Sequence, residues 1–167
     1  ALVNRMGFNN PGSEKMRSAF ETHFAKFGKP EIPIWVNLGK SKLTENEDAH
    51  SDYSTTLGRL WEFTDVFVIN VSSPNTPNLR DLQGVEQLRI IIEACQKMNQ
   101  EKSAEFSSSP KPLLVKVAPD MSLEQLEDIV TVAIECGCSG IVATNTTVTR
   151  VGAVSYTHLT LPTNSNV

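Results

Sequence analysis

Four short apolar runs recur along the chain, separated by helix-patterned sequence, and this alternation limits the possible folds more than any other feature. The runs are Ile32 to Leu38, Val66 to Val71, Leu113 to Val117 and Gly140 to Ala143. Each is short and rich in β-branched residues, as strands of a parallel sheet are. Strand and helix signals in strict alternation imply βα units and an α/β fold. Each run also closes on polar residues: Asn37, then Asn70 to Asn75, then Lys116, then Thr144 to Thr146. Polar groups collected at strand carboxyl ends mark the active face of a closed (β/α)8 barrel and of an open doubly wound sheet alike. Periodicity does not choose between them, but no Gly-rich dinucleotide loop follows the first strand to favour the open sheet.

The sequence between the runs predicts the covering helices. Glu14 to Lys26 carries Met16, Ala19, Phe20 and Phe24 at helical spacing, with Phe27 beyond, Ser13 placed to cap it and Gly28 and Pro30 to end it. His23 on this helix reads as a packed or exposed histidine. A polar, acidic approach from Glu45 to Asp52 leads to an apolar face of Tyr53, Leu57, Leu60, Trp61 and Phe63. Leu79 to Gly84 reads as a connector, and Val85 to Met98 as a helix with Leu88, Ile91, Ile92 and Cys95 inward. The serine-rich stretch Asn99 to Lys111 reads as a surface linker. Ser122 and Gln125 form a capping-box signature for a helix ending near Cys136-Gly137.

A net charge of −4 across 167 residues argues against a nucleic-acid partner, because no basic face offsets it. Small molecules are the expected partners. The three cysteines, Cys95, Cys136 and Cys138, are an odd number and read as reduced structural thiols rather than a metal site. No apolar run reaches about 18 residues and no signal-peptide pattern opens the chain, so membrane attachment is expected to reside outside this sequence.

The second run has one polar interruption, Asn70, whose amide needs partners if buried. Beyond it, Ser72, Ser73, Asn75 and Thr76 are held between Pro74 and Pro77, a loop stiffened by fixed φ angles. Lys116 interrupts the third run in the same way, and lysine is seldom buried without a reason. By composition alone it could equally guard a sheet edge. The whole segment Phe67-Val68-Ile69-Asn70-Val71-Ser72-Ser73-Pro74-Asn75-Thr76-Pro77 closely resembles the active-site loop of dihydroorotate dehydrogenases, flavin enzymes built on a (β/α)8 TIM barrel. Further matches follow in the family's order: Asn4-Arg5-Met6-Gly7-Phe8-Asn9-Asn10, Asn37-Leu38-Gly39-Lys40, Val115-Lys116-Val117-Ala118-Pro119 and Ala143-Thr144-Asn145-Thr146-Thr147. Ser73 is similar to the quinone-dependent, membrane-associated class; the soluble class has cysteine there.

The resemblance implies oxidation of dihydroorotate to orotate in pyrimidine biosynthesis, with FMN as hydride acceptor and a membrane quinone as final acceptor. It implies Ser73 as the catalytic base, and Asn4, Arg5, Met6, Gly7, Phe8, Asn70, Asn75, Asn145 and Thr146 as substrate contacts. It puts Asn37, Asn70, Lys116 and Thr144 on the flavin, with Lys116 offsetting negative charge on its ring. A plain solvated turn is the expectation for Lys42. The resemblance implies peripheral membrane association for the full-length enzyme. Alternatives are the soluble class, another pyrimidine-acting flavin barrel, and a non-catalytic truncated polypeptide. A closed barrel takes about 250 residues, so the expectation is about half a barrel. Residues 1–153 are read as a partial FMN-dependent barrel and 154–167 as a non-native tail. The tail reading rests on Val154 to Thr163, which resembles one frame of a transposase adapter used in sequencing-library preparation.

Overall fold

A computed structural model of the chain describes residues 9–73 and 79–149. Four strands, β1 (Trp35–Leu38), β2 (Val66–Asn70), β3 (Leu113–Val117) and β4 (Gly140–Ala143), pair in the order 1-2-3-4, all parallel. Helix α1 (Ser13–Phe27) precedes β1, and α2 (Ala49–Leu60), α3 (Val85–Glu105) and α4 (Leu123–Glu135) make the three crossovers. Each helix packs against the next in sequence. Strand order therefore settles what periodicity left open. A doubly wound sheet reverses its order at a switch point, whereas these strands advance in one direction and place their helices on one face. That is the arrangement of consecutive βα units in a barrel wall.

The register divides the sheet chemically. Leu38, Phe67, Ile69, Val71, Leu113, Val115 and Val117 lie on the helix face and form one core with Tyr53, Leu57, Leu88, Ile92, Ile129 and Val132. Alternation sends the intervening residues to the opposite face. There Asn37, Val68, Leu114 and Gly140 are level with one another, and Asn70, Lys116 and Val142 are level one step nearer the carboxyl ends. A Cβ added at Gly140 would approach Leu114 Cδ2 to 3.2 Å, as same-face neighbours should.

Local signals close both ends of α4. Ser122 Oγ accepts from Gln125 N at 3.2 Å and Gln125 Oε1 accepts from Ser122 N at 2.9 Å, the expected capping box. At the other end of α4, Gly137 takes φ 71°, and Cys138 N and Gly137 N donate to Ala133 O and Ile134 O. This paired closure needs a residue without Cβ strain.

Several expectations require correction. Ser13 is the first residue of α1 and not its cap; Gly12 holds that position, and Ser13 Oγ accepts from Arg59 Nη1 at 2.6 Å. Strand β1 begins at Trp35, not Ile32, which is 73% exposed and followed by a proline that cannot donate to a ladder. Trp61 and Phe63 lie on a short 3₁₀ turn after α2. Leu79–Gln83 is also a 3₁₀ turn. Helix α3 runs on to Glu105, so the supposed linker from Asn99 is partly helical, and Asn99 is fully buried. Its Oδ1 accepts from Trp61 Nε1 at 2.8 Å and Lys111 N at 3.0 Å, while its Nδ2 donates to Lys111 O at 2.8 Å. A polar residue with every group paired is buried at little cost.

Candidate active site

The site is assembled from loops leaving β1 to β4 at their carboxyl ends. Asn70, the last residue of β2, is 5% exposed. Its Oδ1 accepts from Ser72 Oγ at 2.7 Å and Ser72 N at 3.2 Å. Ser72 Oγ in turn accepts from Asn145 Nδ2 at 3.1 Å, so the loops after β2 and β4 share one hydrogen-bonded chain. Tyr53, reaching from α2, donates its hydroxyl to Asn70 O at 3.0 Å. Burial pushes the Tyr53 phenol well above its ordinary range, which keeps it a proton-bearing donor. Ser73 follows directly and is also buried, 7% exposed.

Lys116 on β3 is level with Asn70 on the face away from the helices, and it is half-buried. Among the described residues its ammonium has no hydrogen-bond or ion-pair partner, and the Asn70 Nδ2 donors meet no acceptor. Buried polar groups in native proteins are normally satisfied, so adjacent unsatisfied donors on one face suit an acceptor-bearing ligand laid across it. Asn37, exposed one step below on β1, extends the same face. Thr144 and Thr146 are exposed where the chain leaves β4; Thr144 Oγ1 donates to Asn145 O at 3.1 Å, and Thr146 N donates to Asn145 Oδ1 at 2.9 Å. The structure therefore brings Asn70, Ser73, Lys116, Asn145 and Thr146 to one rim, with Asn37 and Thr144 beside it. Asn4, Arg5, Met6, Gly7, Phe8 and Asn75 lie outside the described residues.

The two lysines after β1 part company. Lys42 is exposed, as a solvated turn requires. Lys40 is 6% exposed, with its Nζ donating to Thr44 O at 2.6 Å, and Asp52 accepts from Ser41 N at 2.8 Å to tie this loop to α2. A concavity of about 750 Å³ opens here between α1, β1 and α2 and is lined by Asn37, Lys40, Asp52 and Arg59. It touches the rim only at Asn37.

A group of side chains that motif reading passed over holds the rim together. Arg80, on the 3₁₀ turn after β2, donates through Nε to Ser72 O at 3.3 Å, through Nη1 to Asp120 Oδ2 at 3.0 Å and through Nη2 to Thr146 O at 3.1 Å. Gln83 Oε1 accepts from Ala118 N at 3.1 Å. Asp120 also accepts from the Thr147 hydroxyl and, at 2.9 Å, from Val148 N. The Thr147 hydrogen bond foremost, then Val148 N and Arg80, hold the Asp120 carboxyl below the usual carboxylate range against an opposing desolvation. The sequence signal was an arginine and a glutamine in a stretch read as a connector.

Cys95 lies fully buried on α3, where desolvation drives its thiol far above the ordinary range. Cys138 is half-buried and pushed up to about 12 by the same cause. Such thiols are inert packing groups, not nucleophiles. No helix among the described residues is long and apolar enough to cross a membrane.

A sequence model of the family described as dihydroorotate dehydrogenase (DHODH) matches residues 1–162. Relatives named dihydroorotate dehydrogenase (quinone) include one from Anaeromyxobacter sp. (strain Fw109-5), 49% identical over 91% of this chain and 40% of its own length. Another, from Thermosynechococcus vestitus, is 48% identical over 94% of this chain and 40% of its own. The ligand-free DHODH of Eimeria tenella superposes with a TM-score of 0.78 at 34% identity, over 93% of this chain and 46% of that one. Its complex with ferulenol gives 0.75 at 34% identity, over 89% and 43%. The chain thus spans about 40% of the length of the curated relatives it matches. The ordered motifs, the singly wound parallel sheet and these likenesses agree that the chain belongs to the dihydroorotate dehydrogenase family.

Proposed function

We propose that these residues form part of a quinone-dependent dihydroorotate dehydrogenase, which oxidises (S)-dihydroorotate to orotate with FMN as hydride acceptor and a quinone as final acceptor. The observation that carries this reading is the level pair Asn70 and Lys116, whose donors lack partners among the described residues, beside the buried Ser73. FMN, when bound, would supply the acceptor for the hydride that leaves one ring carbon of the substrate. Ser73 takes the proton from the neighbouring carbon. A serine is a poor base at neutral pH, so the proton must leave through a hydrogen-bonded relay, and turnover should rise with pH.

Asn70, Asn75, Asn145 and Thr146, with Asn4 to Phe8, hold the pyrimidine edge and carboxylate. An asparagine amide supplies a donor and an acceptor together, which suits a neutral pyrimidine edge. Lys116, with Asn37 and Thr144, would hold the flavin, and its ammonium would offset negative charge on the ring. The quinone class is favoured over the soluble class by serine at position 73. Peripheral membrane association of the whole protein belongs to the same reading.

The test uses the full-length protein that carries this segment. Ser73→Ala should slow flavin reduction by dihydroorotate by about 10²–10⁴-fold while flavin stays bound; near-parental reduction would remove Ser73 from the mechanism. Reoxidation with a quinone, fumarate or a nicotinamide nucleotide separates the classes. A preference for either of the last two would overturn the quinone assignment.

A further inference from the structure

We propose that Arg80 is a positioning residue that sets the spacing between the proton-abstracting loop after β2 and the substrate-binding loop after β4. The proposal rests on the dihydroorotate dehydrogenase reading above. Its basis is the three-way contact of a single guanidinium. Nε holds the carbonyl of Ser72, the residue before Ser73; Nη2 holds the carbonyl of Thr146, the residue after Asn145; and Nη1 is anchored on Asp120, beyond β3. One planar group thereby joins the ends of three successive strands. Asp120 extends the tie to Thr147 and Val148, so the loop after β4 is gripped at three consecutive residues.

Two of the three contacts go to backbone carbonyls, which is why they bear on position. The Ser72–Asn145 hydrogen bond already links the two loops from the inside, at the level of the reacting groups. Arg80 links them from the outside, through the main chain on either side of Ser73 and Asn145. Loss of the outer link would leave the inner one intact but free to tilt, and displacement of about 1 Å at a reacting centre can cost about 10²-fold in rate. Lysine cannot replace this link. A compact ammonium has the charge but not the planar fork that reaches three acceptors in different directions. The Arg80 and Asp120 side chains are only 23% and 20% exposed, so the pair is partly shielded from solvent screening.

The experiment compares Arg80→Lys, Arg80→Ala and Asp120→Asn in the flavin-loaded, full-length protein. Anaerobic stopped-flow reduction by dihydroorotate gives the limiting rate and the half-saturating concentration; flavin absorbance and thermal unfolding are followed in parallel. Positioning predicts a limiting rate lower by about 10²-fold in Arg80→Lys, with flavin retained and half-saturation little changed. Asp120→Asn should show a smaller loss of the same kind. Hydrogen exchange at the amides of residues 71–73 and 145–148 should quicken in all three. Parental rates in both Arg80 variants, or a rate loss that only follows flavin loss, overturn the proposal. If the Arg80 variants fail to fold, a parental rate and parental exchange in Asp120→Asn overturn it. A parent protein inert toward dihydroorotate sinks the functional reading instead, and Arg80 is then judged by exchange alone, where unchanged protection refutes it.

Discussion

At the residue scale, several groups behind the rim are held by partners distant in sequence. Tyr53 is the clearest case, because its hydroxyl serves a main-chain carbonyl at the last position of β2. Tyr53→Phe in the full-length protein should cost about 1–3 kcal/mol of stability, since it leaves the Asn70 carbonyl without its buried donor; denaturant unfolding measures it, and an unchanged midpoint would refute the role. Asp120 supplies a pH-dependent counterpart. Its folded pKa is depressed, so its contribution is fully present above the unfolded value of about 4 and disappears as pH falls through the lower folded value. Thermal midpoints taken from pH 7 downward should therefore show a shallower acid decline in Asp120→Asn than in the parent. Asp65 adds a decline in the same direction: burial opposes ionisation there, but the Lys29 ammonium and Ile34 amide outweigh it. Coincident acid limbs in parent and variant would show that Asp120 contributes nothing.

At the element scale, strand positions and their carboxyl-end polarity were legible because apolar periodicity and β-branching report burial directly. The runs around Val68, Val115 and Ile141 became strands, and the Ser122–Gln125 signature became a working cap. Reading failed where polarity was taken as exposure. Asn99 has the composition of a linker, yet it sits fully buried because Trp61 and the Lys111 backbone satisfy it. Lys40 obeys the same physics: a carbonyl four residues on accepts its ammonium in a buried position. Arg80 was illegible for another reason, since two of its partners come from positions 40 and 66 residues further along. Only the fold brings them together. The Asn99 network also ties the end of α2 to the approach to β3, at the end of the sheet away from the rim. Asn99→Leu should therefore lower unfolding stability by more than 1 kcal/mol, because the Trp61 indole and the Lys111 N–H and carbonyl lose buried partners together, while Ser73-dependent chemistry in the intact protein is unaffected. A stable variant would mean that water replaces the amide.

At the scale of the whole molecule, a singly wound sheet with helices on one face leaves the other face uncovered among the described residues. The level pair Asn70 and Lys116 lies on that uncovered face, where a side chain contributes to a ligand site only if further structure encloses it. The described sheet also ends in unpaired ladders at β1 and β4, and near these edges Trp35, Leu123 and Ile134 are 55%, 79% and 70% exposed. Open parallel edges and large exposed apolar groups favour self-association. Expressed alone, the 167-residue polypeptide should therefore sediment as heterogeneous oligomers and retain no flavin after gel filtration. The same residues within the full-length protein should be monodisperse and yellow. The comparison tests whether the rim is sufficient or only necessary. A monomer from the isolated chain that binds flavin and unfolds cooperatively would show that four βα units enclose the site unaided. Flavin binding by the full-length protein alone would assign the remaining contacts to the structure that closes over Asn70 and Lys116.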